Sequence, residues 1–237
     1  MSSGLSVYIP SLARWAEIDF VSTTASPLYP SGAKLYINGE LLTELISPYL
    51  LDIPPRFLAG YDFLTNIELN TNTMSVGTEA FANNIGLTDL KLGGSLQSLS
   101  DKAFSGCTSL KYVELDVENL EYSISNTSST SGLPPFYRSS GEDMEIFIKN
   151  KVKNIAPYLF DQISNLNTVR FESGAKDVTF GLAAFNSIIQ KVYIDSLEDW
   201  LTFSFSSRTS NPLSNLSAGL YIIEDGEEKL IVDVIIP

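Results

Sequence analysis

The sequence has no histidine and only one cysteine, Cys107, among its 237 residues. Without imidazole there can be no Ser–His–Asp triad, no histidine zinc site and no imidazole acid–base catalyst. A single thiol permits neither an internal disulfide nor a cysteine metal cluster. Glycine-rich phosphate-binding loops and EF-hand calcium loops are missing as well. We therefore predict that the protein uses no cofactor, holds no metal through these motifs and is not an enzyme.

Positive charge and long apolar runs are also scarce. The 15 Lys and Arg residues are outnumbered by 28 Asp and Glu residues, which gives a net charge of −13. Nucleic acids and anionic membranes attract clustered Lys and Arg, so we expect neither as a partner. No segment approaches the ~20 apolar residues of a membrane helix. The most apolar run, residues 230–237, is short and interrupted by Asp233.

No secretory signal is recognisable in the first residues, Met1-Ser2-Ser3-Gly4. We expect either an intracellular protein or a piece of a longer one. The second alternative is favoured, because the apolar pattern reaches Ile235-Ile236-Pro237 with no capping segment after it.

An apolar–x–apolar triplet recurs six times along the chain, at steps of 23, 23, 33, 23 and 23 residues. Repeats of this length are typical of solenoids, whose coils cannot bury their apolar faces alone. Each triplet reads as a short strand with two inward side chains and one outward side chain. Stacked coils then place these strands side by side in a parallel sheet. The triplets are Ile67-Glu68-Leu69, Leu90-Lys91-Leu92, Val113-Glu114-Leu115, Ile146-Phe147-Ile148, Val169-Arg170-Phe171 and Val192-Tyr193-Ile194.

A phenylalanine precedes every triplet, in the fullest copies as Ala80-Phe81 and Ala103-Phe104. We predict that these segments form helical turns opposite the sheet, where the small alanine allows close approach and the phenylalanine fills the space between coils. Cys107 belongs to the same repeat and is expected to be a small buried packing residue, because no histidine is present to activate its thiol. The phenylalanines of this column are Phe57, Phe81, Phe104, Phe136, Phe160 and Phe185.

The one long step, of 33 residues, points to an insertion within residues 118–143. Its central part, residues 123–132, is rich in Ser, Thr and Asn and poor in side chains that could be buried. We predict a polar surface loop here. Either a mobile excursion or a binding loop is compatible with this composition.

A longer repeat, offset by 185 residues, frames the array: residues 7–15 match residues 192–200, and residues 35–37 match residues 220–222. Each copy predicts a serine-capped helix with an apolar face, followed by a hairpin whose turn is Asn38-Gly39 in the first copy and Asp225-Gly226 in the second. The tryptophan of each helix is read as core, with a ligand platform as the alternative. We therefore divide the chain into a flanking module (1–48), repeats (49–191) and a second flanking module (192–237), all in one continuous solenoid.

Strand alternation sends the middle residue of each triplet to the solvent face of the sheet. Two interpretations remain open. The column could be a ladder of charges with an aromatic–Arg stack that only stabilises the sheet. Alternatively, Phe147, Arg170 and Tyr193 could form a recognition patch, because exposed aromatics and Arg are enriched at interaction surfaces. The full candidate ligand-binding strip is Glu68, Lys91, Glu114, Phe147, Arg170 and Tyr193.

These patterns resemble the BspA-like leucine-rich repeats. The resemblance is carried by the Ala-Phe…Cys-Thr-Ser-Leu-Lys-x-Val-x-Leu string at residues 103–115 and by the flanking segments at residues 8–15 and 35–41. It implies an α/β leucine-rich-repeat solenoid with a parallel sheet on one face, short helices or helical turns on the other, and hairpin-containing flanking modules. It also implies an extracellular or cell-surface location on a bacterium and a role in adhesion. The family has no shared catalytic motif, so no functional residue is carried over.

Three functions are compatible with the sequence. The first is a non-enzymatic adhesion or interaction module that binds a host or bacterial protein or glycan. The second is a structural spacer or assembly domain of a larger surface or phage-fibre-type protein. The third is a carbohydrate-active enzyme that uses two carboxylates. Its candidate pairs are Glu142-Asp143, Glu79 with Asp101, and Asp225 with Glu227-Glu228, the last also being a possible weak calcium site.

Overall fold

The computed structural model describes residues 4–29, 32–69, 72–123, 132–139, 141–185, 187–214, 218–224 and 227–231. In these ranges short strands predominate, and helices are few and short. The helices are α1 (Leu12–Ala16), α2 (Leu197–Trp200) and two 3₁₀ turns, Thr23–Ala25 and Arg208–Ser210. The strands are β1 (Ser6–Ile9), β2 (Lys34–Ile37), β3 (Glu40–Leu41), β4 (Glu44–Ile46), β5 (Asp52–Ile53), β6 (Asn66–Leu69), β7 (Ser75–Val76), β8 (Asp89–Leu92), β9 (Ser98–Ser100), β10 (Tyr112–Leu115), β11 (Asn119–Ser123), β12 (Met144–Ile148), β13 (Asn154–Ile155), β14 (Leu166–Phe171), β15 (Thr179–Phe180), β16 (Lys191–Ile194), β17 (Ser204–Phe205), β18 (Gly219–Glu224) and β19 (Glu227–Leu230).

The predicted triplets form the main sheet of the molecule. Its order is β19-β18-β16-β14-β12-β10-β8-β6-β4, and its strands are parallel except for β19, which is antiparallel to β18. Equivalent triplet residues are direct partners, as in Ile67 with Leu90 and Leu90 with Val113. The inward residues of the triplets are buried. The predicted repeat solenoid with a parallel sheet is therefore confirmed.

Each coil also contributes to a second parallel sheet, which the sequence did not predict. Its seven strands are ordered β17-β15-β13-β11-β9-β7-β5, and several are only two residues long. Their inward residues, such as Val76, Leu99 and Ile155, are buried in the core. A two-residue strand is too short to show the period of two that marks a strand in a sequence.

The phenylalanine segments close the third side of each coil with turns, and both α-helices lie in the flanking modules. Glu79 and Lys102, just before the Ala-Phe pairs, have φ values of 57° and 55°. Because a left-handed residue interrupts a right-handed helix, the chain forms turns here, and the helical character that we predicted for these segments stays a prediction. Behind these turns the rings of Phe81, Phe104 and Phe136 stack at centroid distances of 5.3 and 5.4 Å.

The phenylalanine column contains one exception, at its first coil. The N–H of Leu58 donates to Ala80 O (2.8 Å), as the N–H of Phe81 donates to Ala103 O (2.8 Å). Leu58 is therefore the structural equivalent of Phe81, and the expectation for Phe57 is wrong by one position. The Phe57 ring is buried but meets Phe81 edge-on at 6.2 Å.

Small polar side chains satisfy carbonyl groups between successive coils. Asn84 Nδ2 donates to Leu58 O (2.8 Å), Cys107 Sγ to Phe81 O (3.2 Å) and Ser139 Oγ to Phe104 O (2.5 Å). Cys107 is fully buried, and burial raises the pKa of its thiol to about 12. The prediction of a buried packing residue is confirmed, and the hydrogen bond gives it a second role.

The inserted segment, residues 118–143, contains a strand and buried side chains in addition to its polar residues. Asn119–Ser123 forms β11 of the second sheet, and Leu120 and Phe136 are buried. The central residues, 124–131, lie outside the described ranges, so the loop that we expect there stays a prediction.

The two flanking modules repeat one local structure. Ser11 Oγ accepts the N–H of Arg14 (3.3 Å) at the start of α1, and Ser196 Oγ accepts the N–H of Asp199 (3.1 Å) at the start of α2. Trp15 and Trp200 are buried, which supports the core interpretation. Strands β1, β2 and β3 form their own three-stranded sheet, with Asn38 and Gly39 at positive φ in its hairpin turn. One hydrophobic core continues from this module through the repeats.

Candidate interaction surface

The six residues of the candidate strip lie in one column across the main sheet. Each is the register partner of the next: Glu68 with Lys91, Lys91 with Glu114, Glu114 with Phe147, Phe147 with Arg170, and Arg170 with Tyr193. We call this row the outer column. The parallel register, set by buried triplet residues, brings side chains far apart in sequence onto neighbouring strands.

The first half of the outer column is charged and paired. Lys91 Nζ lies 3.7 Å from Glu68 Oε2. Glu114 accepts a hydrogen bond from the Tyr112 hydroxyl (3.0 Å) on the same strand. Burial, and then this hydrogen bond, raise the pKa of Tyr112, so the phenol stays neutral and remains a donor. This half is a ladder of mutually satisfied polar groups.

The second half of the outer column is aromatic and cationic. The Arg170 guanidinium lies 3.9 Å from the centre of the Tyr193 ring, and its Nε donates to Glu145 Oε1 (3.2 Å). Phe147 is half-buried, with Lys149 Nζ at 5.2 Å from its ring centre. Lys149 in turn forms an ion pair with Glu172. These contacts fix the cations beside the aromatic rings.

Tyr193 is not the exposed aromatic that a recognition patch requires. Only 3% of its surface is exposed, because Arg170 covers one side and the Tyr221 ring lies 5.4 Å away on the other. Its hydroxyl donates to Glu228 Oε1 (2.5 Å), and Glu228 also binds Lys191 (2.8 Å). The hairpin formed by β18 and β19 thus covers this position, which alternation along a single strand does not reveal.

Beside this half of the column is a shallow depression of about 220 Å³. Phe147 and Arg170 contribute to its lining, together with the turn after β14 and the end of β16. The triplet pattern does not predict the contributions of Ser173 and Ile223, because neither is the middle residue of a triplet. Its lining residues are Phe147, Arg170, Phe171, Glu172, Ser173, Tyr193, Ile194, Asp195 and Ile223.

The candidate carboxylate pairs are used in structural contacts or lie apart from the outer column. Glu79 is bound by Arg56 (3.2 Å) and Lys102 (3.6 Å), and Asp101 accepts the Tyr122 hydroxyl (2.9 Å). Glu142 and Asp143 are exposed beside a depression of about 460 Å³. Asp225 lies outside the described residues. Among the residues that are described, no group of three Cys, Asp or Glu side chains could hold a metal ion.

The fold and the surface together define a repeat protein whose coils present an ordered outer face. The model of the BspA type leucine-rich repeat region matches residues 51–131 and 132–226, in six copies. Because the match covers more than half of the chain, the protein belongs to this family. No curated protein and no solved structure matches the chain. Within the described ranges, no helix has the length and apolar character needed to cross a bilayer.

Proposed function

We propose that the protein is a non-enzymatic interaction module that binds a protein or glycan partner through the outer face of its main sheet. Membership of the BspA-type family supports a surface-associated repeat module. Adhesion at a bacterial surface is the specific form that we propose. The engaged carboxylates Glu79 and Asp101 and the lack of histidine favour binding over catalysis.

The single observation that carries the proposal is the depression beside Phe147 and Arg170. Apolar and cationic side chains meet there, and this combination is enriched at interaction surfaces. Arg170 is held by Glu145, so this cation is in place before a partner arrives. Ordered side chains lose less conformational entropy on binding, which favours affinity.

The lining of the depression suggests the chemistry of the partner. Phe147 provides an apolar surface, and Glu172 and Asp195 provide acceptors at its rim. A hydroxyl-rich glycan ring or an aromatic side chain of a protein would each fit such a mixture. Arg170 remains 31% exposed and can still donate to a partner's carbonyl or carboxylate.

The test is a binding screen of the intact chain against arrays of extracellular-matrix proteins and glycans. For any ligand found, Phe147→Ser is expected to weaken binding by about tenfold or more, as for a hot-spot aromatic. Tyr49→Ser is the matched control, because Tyr49 is an aromatic residue that is 90% exposed and lies outside the depression. Equal affinity of the two variants would exclude this part of the face as the binding site.

A structural spacer or assembly domain is the second candidate. It is favoured by the ion pairs of the outer face, such as Lys91 with Glu68 and Lys151 with Asp116, which are complete without a ligand. For a spacer, the arrays would give no ligand.

A further inference from the structure

Strand β1 and strand β16 are counterparts in the two flanking modules, but only β16 is paired on both sides. Strand β16 lies between β14 and β18, in parallel register with both. Strand β1 pairs in parallel with β2, the counterpart of β18, and has no other strand partner in the described part of the chain. The second module therefore shows what covers this edge when it is occupied.

The backbone of β1 is ready for a second neighbour. The carbonyls of Leu5, just before β1, and of Ile9 accept the N–H groups of Lys34 (2.7 Å) and Asn38 (3.4 Å), on the side of β2. Successive residues of a strand direct their N–H and C=O groups to opposite sides. Ser6 and Tyr8 consequently direct theirs to the open edge, where no strand of the described residues pairs with them and where they can template a strand.

The side chains show the same difference. Tyr8 is 69% exposed, whereas its counterpart Tyr193 is 3% exposed. Each ring has a tyrosine neighbour, Tyr36 at 4.9 Å and Tyr221 at 5.4 Å. Arg170 lies on the other face of Tyr193, at 3.9 Å from the ring centre. No cation of the described residues lies on the corresponding face of Tyr8.

The apolar residues of β1 are also more exposed than their counterparts in β16. Val192 and Ile194 are buried in the second module, whereas Val7 and Ile9 are only half-buried in the first. In the second module Phe171 of β14 contacts Phe203, at a ring distance of 4.9 Å. The counterpart of Phe203 is Ile18, which is 43% exposed. An apolar end therefore lies behind the open edge.

We propose that the open edge of β1 binds an extended strand of a partner protein with the sequence apolar–Arg–apolar. The strand adds in parallel to Ser6 and Tyr8, as in other complexes formed by strand addition. Its arginine stacks on the free face of Tyr8, and its two apolar side chains cover the end of the core beside Val7 and Ile9. The occupied edge of β16 supplies each of these elements as Val169-Arg170-Phe171. This site is separate from the outer-face depression and does not depend on the proposed function.

The probe is a fluorescent peptide with the sequence of residues 166–173, Leu-Asn-Thr-Val-Arg-Phe-Glu-Ser, titrated with the intact protein. Fluorescence anisotropy measures its affinity. Ser6→Pro removes an N–H from the open edge and leaves the groups that pair with β2, and Ser6→Ala is the matched control that keeps the N–H. Tyr8→Ser removes the ring, and Tyr8→Phe keeps it. Thermal melts verify that each variant folds.

We expect saturable binding to the unmodified protein and to Ser6→Ala and Tyr8→Phe. Ser6→Pro and Tyr8→Ser should each weaken it by about tenfold, and so should replacement of the peptide arginine by glutamine. Amide NMR signals of Ser6 and Tyr8 should shift on binding. Equal affinity for Ser6→Pro and Ser6→Ala would overturn the proposal, as would no saturable binding. If the protein self-associated and Ser6→Pro abolished this association, the occupant of the edge would be a second copy of this chain, and the proposed partner protein would be wrong.

Discussion

At the scale of single residues, the interior is a row of aromatic rings with hydrogen-bond donors beside them. Phe104 lies between Phe81 and Phe136, with stacking on both sides at 5.3 and 5.4 Å. Cys107 donates to the carbonyl of Phe81, so the same coil boundary contains a polar contact as well. Both residues are fully buried, and substitutions at either should be measurable as changes in stability.

We expect Phe104→Ala to lower the free energy of unfolding by about 3–5 kcal/mol, because it opens a cavity and removes two ring contacts. Urea denaturation measures this change. The control is Phe147→Ala on the outer face, where a half-buried ring should cost much less. The assigned core position would be contradicted if Phe104→Ala began to unfold at the same urea concentration as the control.

Because of Cys107, we expect the free energy of unfolding of the protein to vary with pH in the alkaline range. Burial raises the pKa of its thiol to about 12 in the folded protein, whereas an unfolded thiol ionises near 8.5 (about 8–9). The unfolded state therefore loses a proton first as the pH rises. The contribution of the protonated thiol to the free energy of unfolding is complete at pH values below the pKa of the unfolded state. As the pH rises from that pKa towards the pKa of the folded state, this contribution is lost, at a slope approaching about 1.4 kcal/mol per pH unit.

Cys107→Ser tests this dependence, since serine keeps a donor to the Phe81 carbonyl and does not titrate. We expect the free energy of unfolding of the unmodified protein to fall between about pH 8 and pH 10. The serine variant should show a flatter profile over the same range. Tyrosine ionisation affects both proteins alike, so the difference between the two profiles reports Cys107. Parallel profiles would show that the thiol is not held neutral.

At the scale of elements, the β18–β19 hairpin closes the end of the main sheet. Glu228 binds Lys191 (2.8 Å) and the Tyr193 hydroxyl (2.5 Å) across the strands. The Lys191 ammonium, and then the Tyr193 hydroxyl, lower the pKa of the Glu228 carboxyl. The resulting stabilisation is present above the usual glutamate pKa of about 4.3 and is lost as the pH falls below it.

Glu228→Gln should loosen this hairpin without unfolding the coils. We expect amide hydrogen exchange in β19 to become a few-fold faster at neutral pH, with little change in β10 or β12. Hydrogen exchange with mass spectrometry measures both regions. Glu227→Gln, one position earlier on the same strand, is the control. Equal protection of β19 in the two variants would show that the contacts of Glu228 do not hold the hairpin.

The sequence predicted those strands that are long enough for apolar and polar residues to alternate within them. The triplets alternate over three residues and repeat at a fixed step, so their pairing and the outer column followed from the sequence. The second sheet did not, because strands such as Asp52–Ile53 are too short to alternate. The covering of Tyr193 also could not be predicted from its strand, since Glu228 comes from a hairpin 35 residues later.

At the scale of the whole molecule, stability is distributed along one axis. In a solenoid each coil contacts only its neighbours, so cooperativity depends on every interface between adjacent coils. The ring contacts of Phe104 lie near the middle of the array, between the coils of β8 and β12. Weakening this interface should affect how the two ends of the molecule unfold together.

The two tryptophans provide one reporter at each end, because Trp15 lies in the first flanking module and Trp200 in the second. Trp200→Phe leaves Trp15 as the only fluorophore of this kind, and Trp15→Phe leaves Trp200. With an intact core, we expect both single-tryptophan proteins to unfold in urea with transitions of the same shape. Trp15→Phe also removes a hydrogen bond to Phe57 O (2.5 Å), so each protein is compared only with its own Phe104→Ala derivative.

Adding Phe104→Ala should separate the two transitions, because the weakened central interface no longer transmits the unfolding of one end to the other. Circular dichroism of the same samples should then show two steps, one matching each tryptophan. Phe147→Ala leaves the row of stacked phenylalanine rings in the interior complete, so this variant should keep the two transitions together. If Phe104→Ala lowers both midpoints equally and the transitions still coincide, the molecule unfolds as a single unit, and its stability is not a sum over neighbouring coils.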